Sequence, residues 1–145
     1  MNENFCSFPL PLPIAQLIQA WNTHDGALLA ECFHADYESV QPHHPERNFW
    51  GREAALMNWR VVFETVPDFS AELTRWAMSG DEIWTEWRWR GNHVNGNSFR
   101  AGGVIVYGLS GAHIAWARVY TEIEQATGPD WEAVLDEILS QQEAR

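Results

Sequence analysis

Apolar residues recur at helical spacing in the first half of the chain and alternate in the second, the period changing near Pro67. Ile14, Leu17, Ile18 and Trp21 share one face of a predicted helix over 14–23. It follows a Pro-punctuated lead-in, Phe8-Pro9-Leu10-Pro11-Leu12-Pro13, whose last proline suits a first helical turn. Asp25 is placed to cap a second helix running through His34 and burying Leu28, Leu29, Cys32 and Phe33. Tyr37 to Gln41 reads as a short strand stopped by Pro42, and 43–48 as a polar loop. Leu56, Trp59, Val62 and Phe63 give a third helix over 52–65, which Pro67 ends.

Strands are predicted at 69–78, 82–94, about 99–109 and 113–123, with turns at Ser79-Gly80-Asp81, Asn95-Gly96 and Ser110-Gly111. Gly102-Gly103 suggests a bulge that bends the sheet. Alternation sets Ile83, Thr85, Trp87 and Trp89 on one side of their strand, and Trp84, Glu86, Arg88 and Arg90 on the other. On the last strand it sets Ala115, Ala117, Val119 and Thr121 against Ile114, Trp116, Arg118, Tyr120 and Glu122. Helices followed by an antiparallel meander make an α+β order. Past Pro129, Trp131, Val134, Leu135, Ile138 and Leu139 mark an amphipathic helix. Three placements stay open for it: over a pocket mouth, on its own sheet, or against a partner subunit.

At 145 residues the chain is one domain with room for a real core. Nine Trp exceed what a small core needs, so some are expected at a cavity or a subunit interface. A net charge of −11 with no basic run argues against nucleic acid. The start, Met1-Asn2-Glu3-Asn4, reads as no secretion signal, and no window reaches the ~18 apolar residues of a membrane span. Two cysteines, Cys6 and Cys32, make no disulfide framework, and a cytoplasmic setting is expected. The six His show no metal-ligand spacing, and neither a phosphate-binding Gly loop nor a G-x-S-x-G elbow occurs. No metal and no cofactor are therefore expected.

Six short pieces keep a particular order and spacing: Trp21-Asn22-Thr23-His24-Asp25, Phe33-His34-Ala35-Asp36 with Gly51, Pro67-Asp68, Glu86-Trp87-Arg88 leading to Gly91, His113-Ile114, and Tyr120-Thr121-Glu122. In register they resemble the SnoaL-like (polyketide-cyclase-like) family of the nuclear-transport-factor-2-like superfamily, across roughly residues 12–124. The resemblance implies a cone-shaped, cystatin-like α+β fold, with N-terminal helices packed on a curved, mostly antiparallel sheet. It also implies an apolar molecule held between helices and sheet, and a homodimer through the convex face. The chain then divides into a lead-in (1–12), the SnoaL-like domain (13–124) and a C-terminal helix extension (125–145).

The catalytic residues of the superfamily's enzymes do not carry over. The cyclase acid/base Asp, directly after an Arg (here Arg118), corresponds to Val119, and the cyclase His to about Ile105. The Asp-Arg-Asp network of limonene-epoxide-hydrolase-like enzymes falls near Trp87, Trp89 and Val119. The ketosteroid isomerase base falls at Gln41, and its Tyr and second Asp at Leu17 and about Val104. What remains for proton transfer is His43 and His44, expected near the pocket mouth. Glu86, Arg88, Arg118 and Glu122 read as outward cross-strand pairs, with a catalytic charge cluster as the sharper alternative.

The ligand-facing set expected from the resemblance is Tyr37, Ser39 and Gln41 from the first strand, Trp59 and Phe63 from the third helix, and Thr85, Trp87, Trp89 and Tyr107 from the sheet. Three classes stay open: a binding domain for a small apolar molecule, an enzyme of cyclase, isomerase or dehydratase type using unfamiliar residues, and a structural dimerisation module.

Overall fold

The computed structural model describes residues 9–124 and 127–143. Cys6, most of the lead-in and parts of the C-terminal extension lie outside the described residues. Three helices, α1 (Leu12–Thr23), α2 (Gly26–Cys32) and α3 (Arg52–Thr65), pack on one face of a six-stranded sheet. The strands are β1 (Phe33–Val40), β2 (Phe49–Trp50), β3 (Ser70–Ser79), β4 (Glu82–Asn92), β5 (Ser98–Ser110) and β6 (His113–Ile123). Their spatial order is β2-β1-β6-β5-β4-β3, and only the β1–β6 pairing is parallel. Helix α4 (Trp131–Glu143) follows the sheet. No described helix is long and apolar enough to cross a membrane.

The core lies between helices and sheet, with Ile14, Leu17 and Trp21 of α1 set on Ile83, Trp87, Ile105 and Tyr107. The side chains of the first sequence motif pin this layer. Asn22 exchanges two hydrogen bonds with the Ala71 backbone, 3.0 and 2.7 Å. His24 ends α1 in the left-handed conformation, its backbone N–H donating to the Ala20 carbonyl. Its ring Nε2 donates to the Phe69 carbonyl at 2.9 Å. Asp25 caps α2 by accepting from the Leu28 N–H. Asp68 likewise accepts from the Asn92 backbone and amide at 2.6 and 2.8 Å. A side chain at Gly91 would run into Val66 and Asp68, so glycine is what lets these segments meet.

Several sequence expectations are corrected. The second helix stops at Cys32 rather than His34, because β1 begins at Phe33 to pair with Ile114 of β6. The short β2, just past the predicted 43–48 loop and given no element by the sequence reading, pairs with Glu38 and Ser39 of β1. At Gly102-Gly103 the pairing runs without a register shift on both sides. Irregularities fall instead at Thr74 in β3, at Ala115 in β6 and between Phe33 and Glu38 in β1. The extra residue at Ala115 reverses the local alternation, so Ile114, expected outside with Trp116, is fully buried. Glu86, Arg88, Arg118 and Glu122 do lie on the outer face, but they form no cluster. Glu86 accepts from Thr74, Arg118 donates to the Tyr120 hydroxyl, and Glu122 is engaged by His44.

Candidate functional site

The four tryptophans nearest the domain centre stack into a wall. Trp21 meets Trp59 and Trp87 with ring centroids 4.8 Å apart in both cases, and Trp89 at 5.6 Å. Trp59 meets Trp89 edge-on at 5.6 Å. Among the described residues the indole N–H groups of Trp21 and Trp89 are buried without a hydrogen-bond partner.

Beside this wall lies a cavity of about 240 Å³. Helices supply Trp21 from α1 and Ala55, Asn58, Trp59 and Val62 from α3, residues that one helix face presents together. The sheet supplies Tyr37, Ser39, Trp89, Ile105, Tyr107, Val119 and Thr121. Phe33, Gln41 and Phe49 complete it. None of these lining residues is a carboxylate, an imidazole or a permanent cation. The only ionisable groups are two phenols, and both are held neutral. Burial pushes the Tyr37 phenol well up, partly offset by a hydrogen bond with Ser39. Burial pushes Tyr107 up too, reinforced by Tyr37 and Cys32 beside it. At neutral pH both hydroxyls remain hydrogen-bond donors.

Six of the nine residues expected at a ligand line this cavity: Tyr37, Ser39, Gln41, Trp59, Trp89 and Tyr107. Phe63, Thr85 and Trp87 do not. Phe63 points along α3 to the other side, where it stacks on His24 at 4.6 Å. It borders an open trough of about 510 Å³ whose rim residues Gly26, Ala27, Arg60 and Glu64 are exposed. Thr85 and Trp87 are spent on each other: the Trp87 Nε1–H donates to Thr85 Oγ1 at 2.7 Å, and that hydroxyl donates to the Ile105 carbonyl at 2.6 Å.

His43 and His44 are not brought to the cavity. The His43 ring sits edge-on to Tyr120, 5.8 Å away, on the outer side of β6. His44 hydrogen-bonds Glu122 and lies 3.7 Å from Glu46. No group of three or more metal-ligating side chains occurs among the described residues.

Of the lining residues that the sequence reading left out, Ile105 and Val119 had a signal, since the resemblance assigned them catalytic positions. Both do face the cavity, as apolar walls. Ala55, Asn58 and Val62 share the face of Trp59, and Thr121 follows Val119 by alternation. Phe49 had none, because nothing local marks a two-residue strand.

A family model described as SnoaL-like domain matches residues 14–117. No curated protein matches the chain by sequence. Among solved structures, a hypothetical protein of ketosteroid isomerase-like fold from Catenulispora acidiphila, in complex with trimethylamine, is 18% identical. The match covers 77% of this chain and 86% of that one, with a TM-score of 0.67. IdmH, a proposed polyketide cyclase from Streptomyces antibioticus, is 21% identical over 87% of this chain and 95% of that one, with a TM-score of 0.66. TsrD from Streptomyces laurentii is 18% identical over 95% and 97%, with a TM-score of 0.65. At these identities the likeness is one of fold. With the family model spanning most of its length, the chain belongs to the SnoaL-like domain family, on a nuclear-transport-factor-2-like fold.

Proposed function

We propose that this domain binds a small, uncharged, largely apolar molecule in the cavity between α3 and the sheet, without the family's acid/base chemistry. One observation carries the reading: the cavity wall is aromatic and aliphatic, with neutral polar groups and no charge. An ionised ligand would lose its hydration there and meet no counter-charge. A neutral oxygen would find the Tyr107 hydroxyl, Gln41 and Asn58 as donors. The volume exceeds the ~150 Å³ of an apolar cavity that takes up benzene. It falls below the ~300 Å³ where drug-sized pockets begin, which suits about two fused rings. The residues of the usual catalytic positions that reach the cavity, Gln41, Trp89, Ile105 and Val119, cannot accept a proton at neutral pH.

Tryptophan fluorescence tests this directly, because Trp21, Trp59 and Trp89 line the site. Titration with polyketide and terpenoid-epoxide compounds of about two rings, and with 2-naphthol against 2-naphthoate, is expected to give saturable quenching. The neutral naphthol should bind at least ~10-fold more tightly than the anion. Thr121→Phe, which fills the cavity from β6, should abolish the response while the far-UV circular dichroism is kept. A flat response across the panel, or an unchanged one in Thr121→Phe, overturns the reading.

A further inference from the structure

The core tryptophans divide by what their indole N–H groups meet. Trp87 is satisfied within the chain, donating to Thr85 Oγ1 at 2.7 Å. Trp21 and Trp89 have no acceptor among the described residues, and their nitrogens are closed off from solvent. The division follows the cavity: Trp87 does not border it, whereas Trp21 and Trp89 both do.

A buried donor without a partner is costly, and nearly all such groups in folded proteins are paired. The surroundings explain why these two are not. The rings of Trp59, Trp87 and Trp89 stand around Trp21, and those of Trp21, Trp59 and Phe69 around Trp89. None of these neighbouring rings carries an oxygen. Thr85, on the same strand face as Trp89, is already committed to Trp87 and to the Ile105 carbonyl. Phe at either place would supply an aromatic wall with no donor to satisfy. The indole nitrogen therefore adds a cost that packing alone does not return.

An acceptor can still arrive from the cavity. Indole N–H only donates, so the matching group is an oxygen that only accepts. A carbonyl oxygen fits, with two lone pairs and no proton of its own to place among aromatic rings. A carboxylate would accept as well, but would lose its hydration with no counter-charge in the wall. The Trp21 and Trp89 rings are nearly perpendicular with centroids 5.6 Å apart, so both donors serve one end of the cavity. Trp89 is only half-buried, and the torsion that turns an indole ring is broad. A small pivot then brings its N–H onto a ligand oxygen.

We propose that Trp21 and Trp89 select the ligand: the cavity takes a neutral ketone of about two fused rings, whose carbonyl oxygen accepts from these indole N–H groups. This selection presupposes that the cavity is a ligand site, and adds the polar group the ligand must carry and the residues that read it. Apolar contact holds the ring skeleton, and the indole pair decides which skeletons are held tightly.

The probes are 1-tetralone and 2-tetralone, each compared with tetralin, which has a methylene in place of the carbonyl. Calorimetric titration of the full chain should find the better ketone bound at least ~5-fold more tightly than tetralin. Trp89→Phe keeps an aromatic ring, and circular dichroism checks its fold. In this variant the ketone should weaken by at least ~5-fold while tetralin changes by less than ~2-fold. A second readout needs no variant. In 15N-labelled wild type, the ketone should move two of the nine indole N–H proton signals downfield, and tetralin should not. The selection is overturned, with the cavity still a binding site, by tetralin bound as tightly as the ketones or by indole signals that answer both ligands alike. A Trp89→Phe protein that keeps the ketone preference, or loses both ligands equally, overturns it too. Wild type that binds neither ligand overturns the cavity reading and the selection together.

Discussion

Replacing Thr85 by Val keeps the shape of the side chain and removes one oxygen, isolating what that oxygen does. Thr85 is 1% exposed and Trp87 2% exposed, so water cannot replace the lost group. The Trp87 indole N–H loses its acceptor at 2.7 Å, and the Ile105 carbonyl loses a donor at 2.6 Å. A buried donor left without a partner costs about 1–3 kcal/mol, and an ordinary net hydrogen bond is worth about 0.5–1.5 kcal/mol. The expected loss is therefore about 2–4 kcal/mol, a large share of a typical stability of about 5–15 kcal/mol. Urea unfolding followed by circular dichroism measures it, with the midpoint falling and the slope unchanged. Thr85→Val/Trp87→Phe supplies the control, because removing both partners should cost less than the two single changes summed. Thr85 does not line the cavity, so ligand affinity should be unaltered in Thr85→Val. A stability loss under about 0.5 kcal/mol, or additive single changes, refutes the reasoning; selective loss of binding would make Thr85 a ligand residue.

Further expectations concern backbone, thiol and acid response. Gly103 has φ 136°, and a side chain there would meet the Tyr120 and Thr121 backbone, which cannot step aside. Gly103→Ala should cost at least about 1–3 kcal/mol in the same unfolding assay, and a neutral result would refute the close approach. Burial, reinforced by Glu31, pushes the Cys32 thiol from 9.0 up to about 12. In Cys6→Ser protein at pH 8, Cys32 should react with a thiol reagent only on unfolding, and prompt reaction of native protein would contradict its burial. The unfolded thiol ionises from 9.0 upward while the folded one resists, so the stability held below pH 9 should fall as pH rises toward 12. Cys32→Ala should flatten that decline in pH-dependent melting. Asp68 is shifted the other way, its carboxylate held below 3.8 by the Asn92 side-chain and backbone hydrogen bonds. The advantage of wild type over Asp68→Asn should be present above pH 3.8 and vanish as pH falls through the lowered value; a constant gap down to pH 2 would count against it.

The pieces of sequence that gave the fold away are structural fasteners. Asn22 on the Ala71 backbone, His24 on the Phe69 carbonyl, Asp25 at the start of α2, and Asp68 beside Gly91 each hold one segment at a fixed distance from another. Their spacing is legible in one dimension because each fastener ties a specific helix end to a specific strand end. The same property makes them silent about chemistry, since they face each other and the backbone rather than the cavity. Strand alternation was equally legible, and it placed Thr85, Trp87 and Trp89 on the inner face of β4.

What alternation could not supply was which inner residues border empty space. Thr85 and Trp87 share a face with Trp89, yet only Trp89 reaches the cavity, because Trp21 from another layer covers Trp87. Phe63 lies one position from Val62 on α3, but the ~100° rotation between successive residues turns it off the cavity face and onto His24. One unpaired residue at Ala115 turned Ile114 inward, and a two-residue strand at Phe49–Trp50, which no local pattern marks, closed the cavity. Periodicity and local fasteners determine elements and faces, because they depend on neighbours along the chain. Enclosure depends on side-chain volumes contributed by segments far apart in sequence. Only the folded packing could therefore decide that Tyr37, Ser39, Gln41 and Tyr107 border a cavity from which His43 and His44 are turned away.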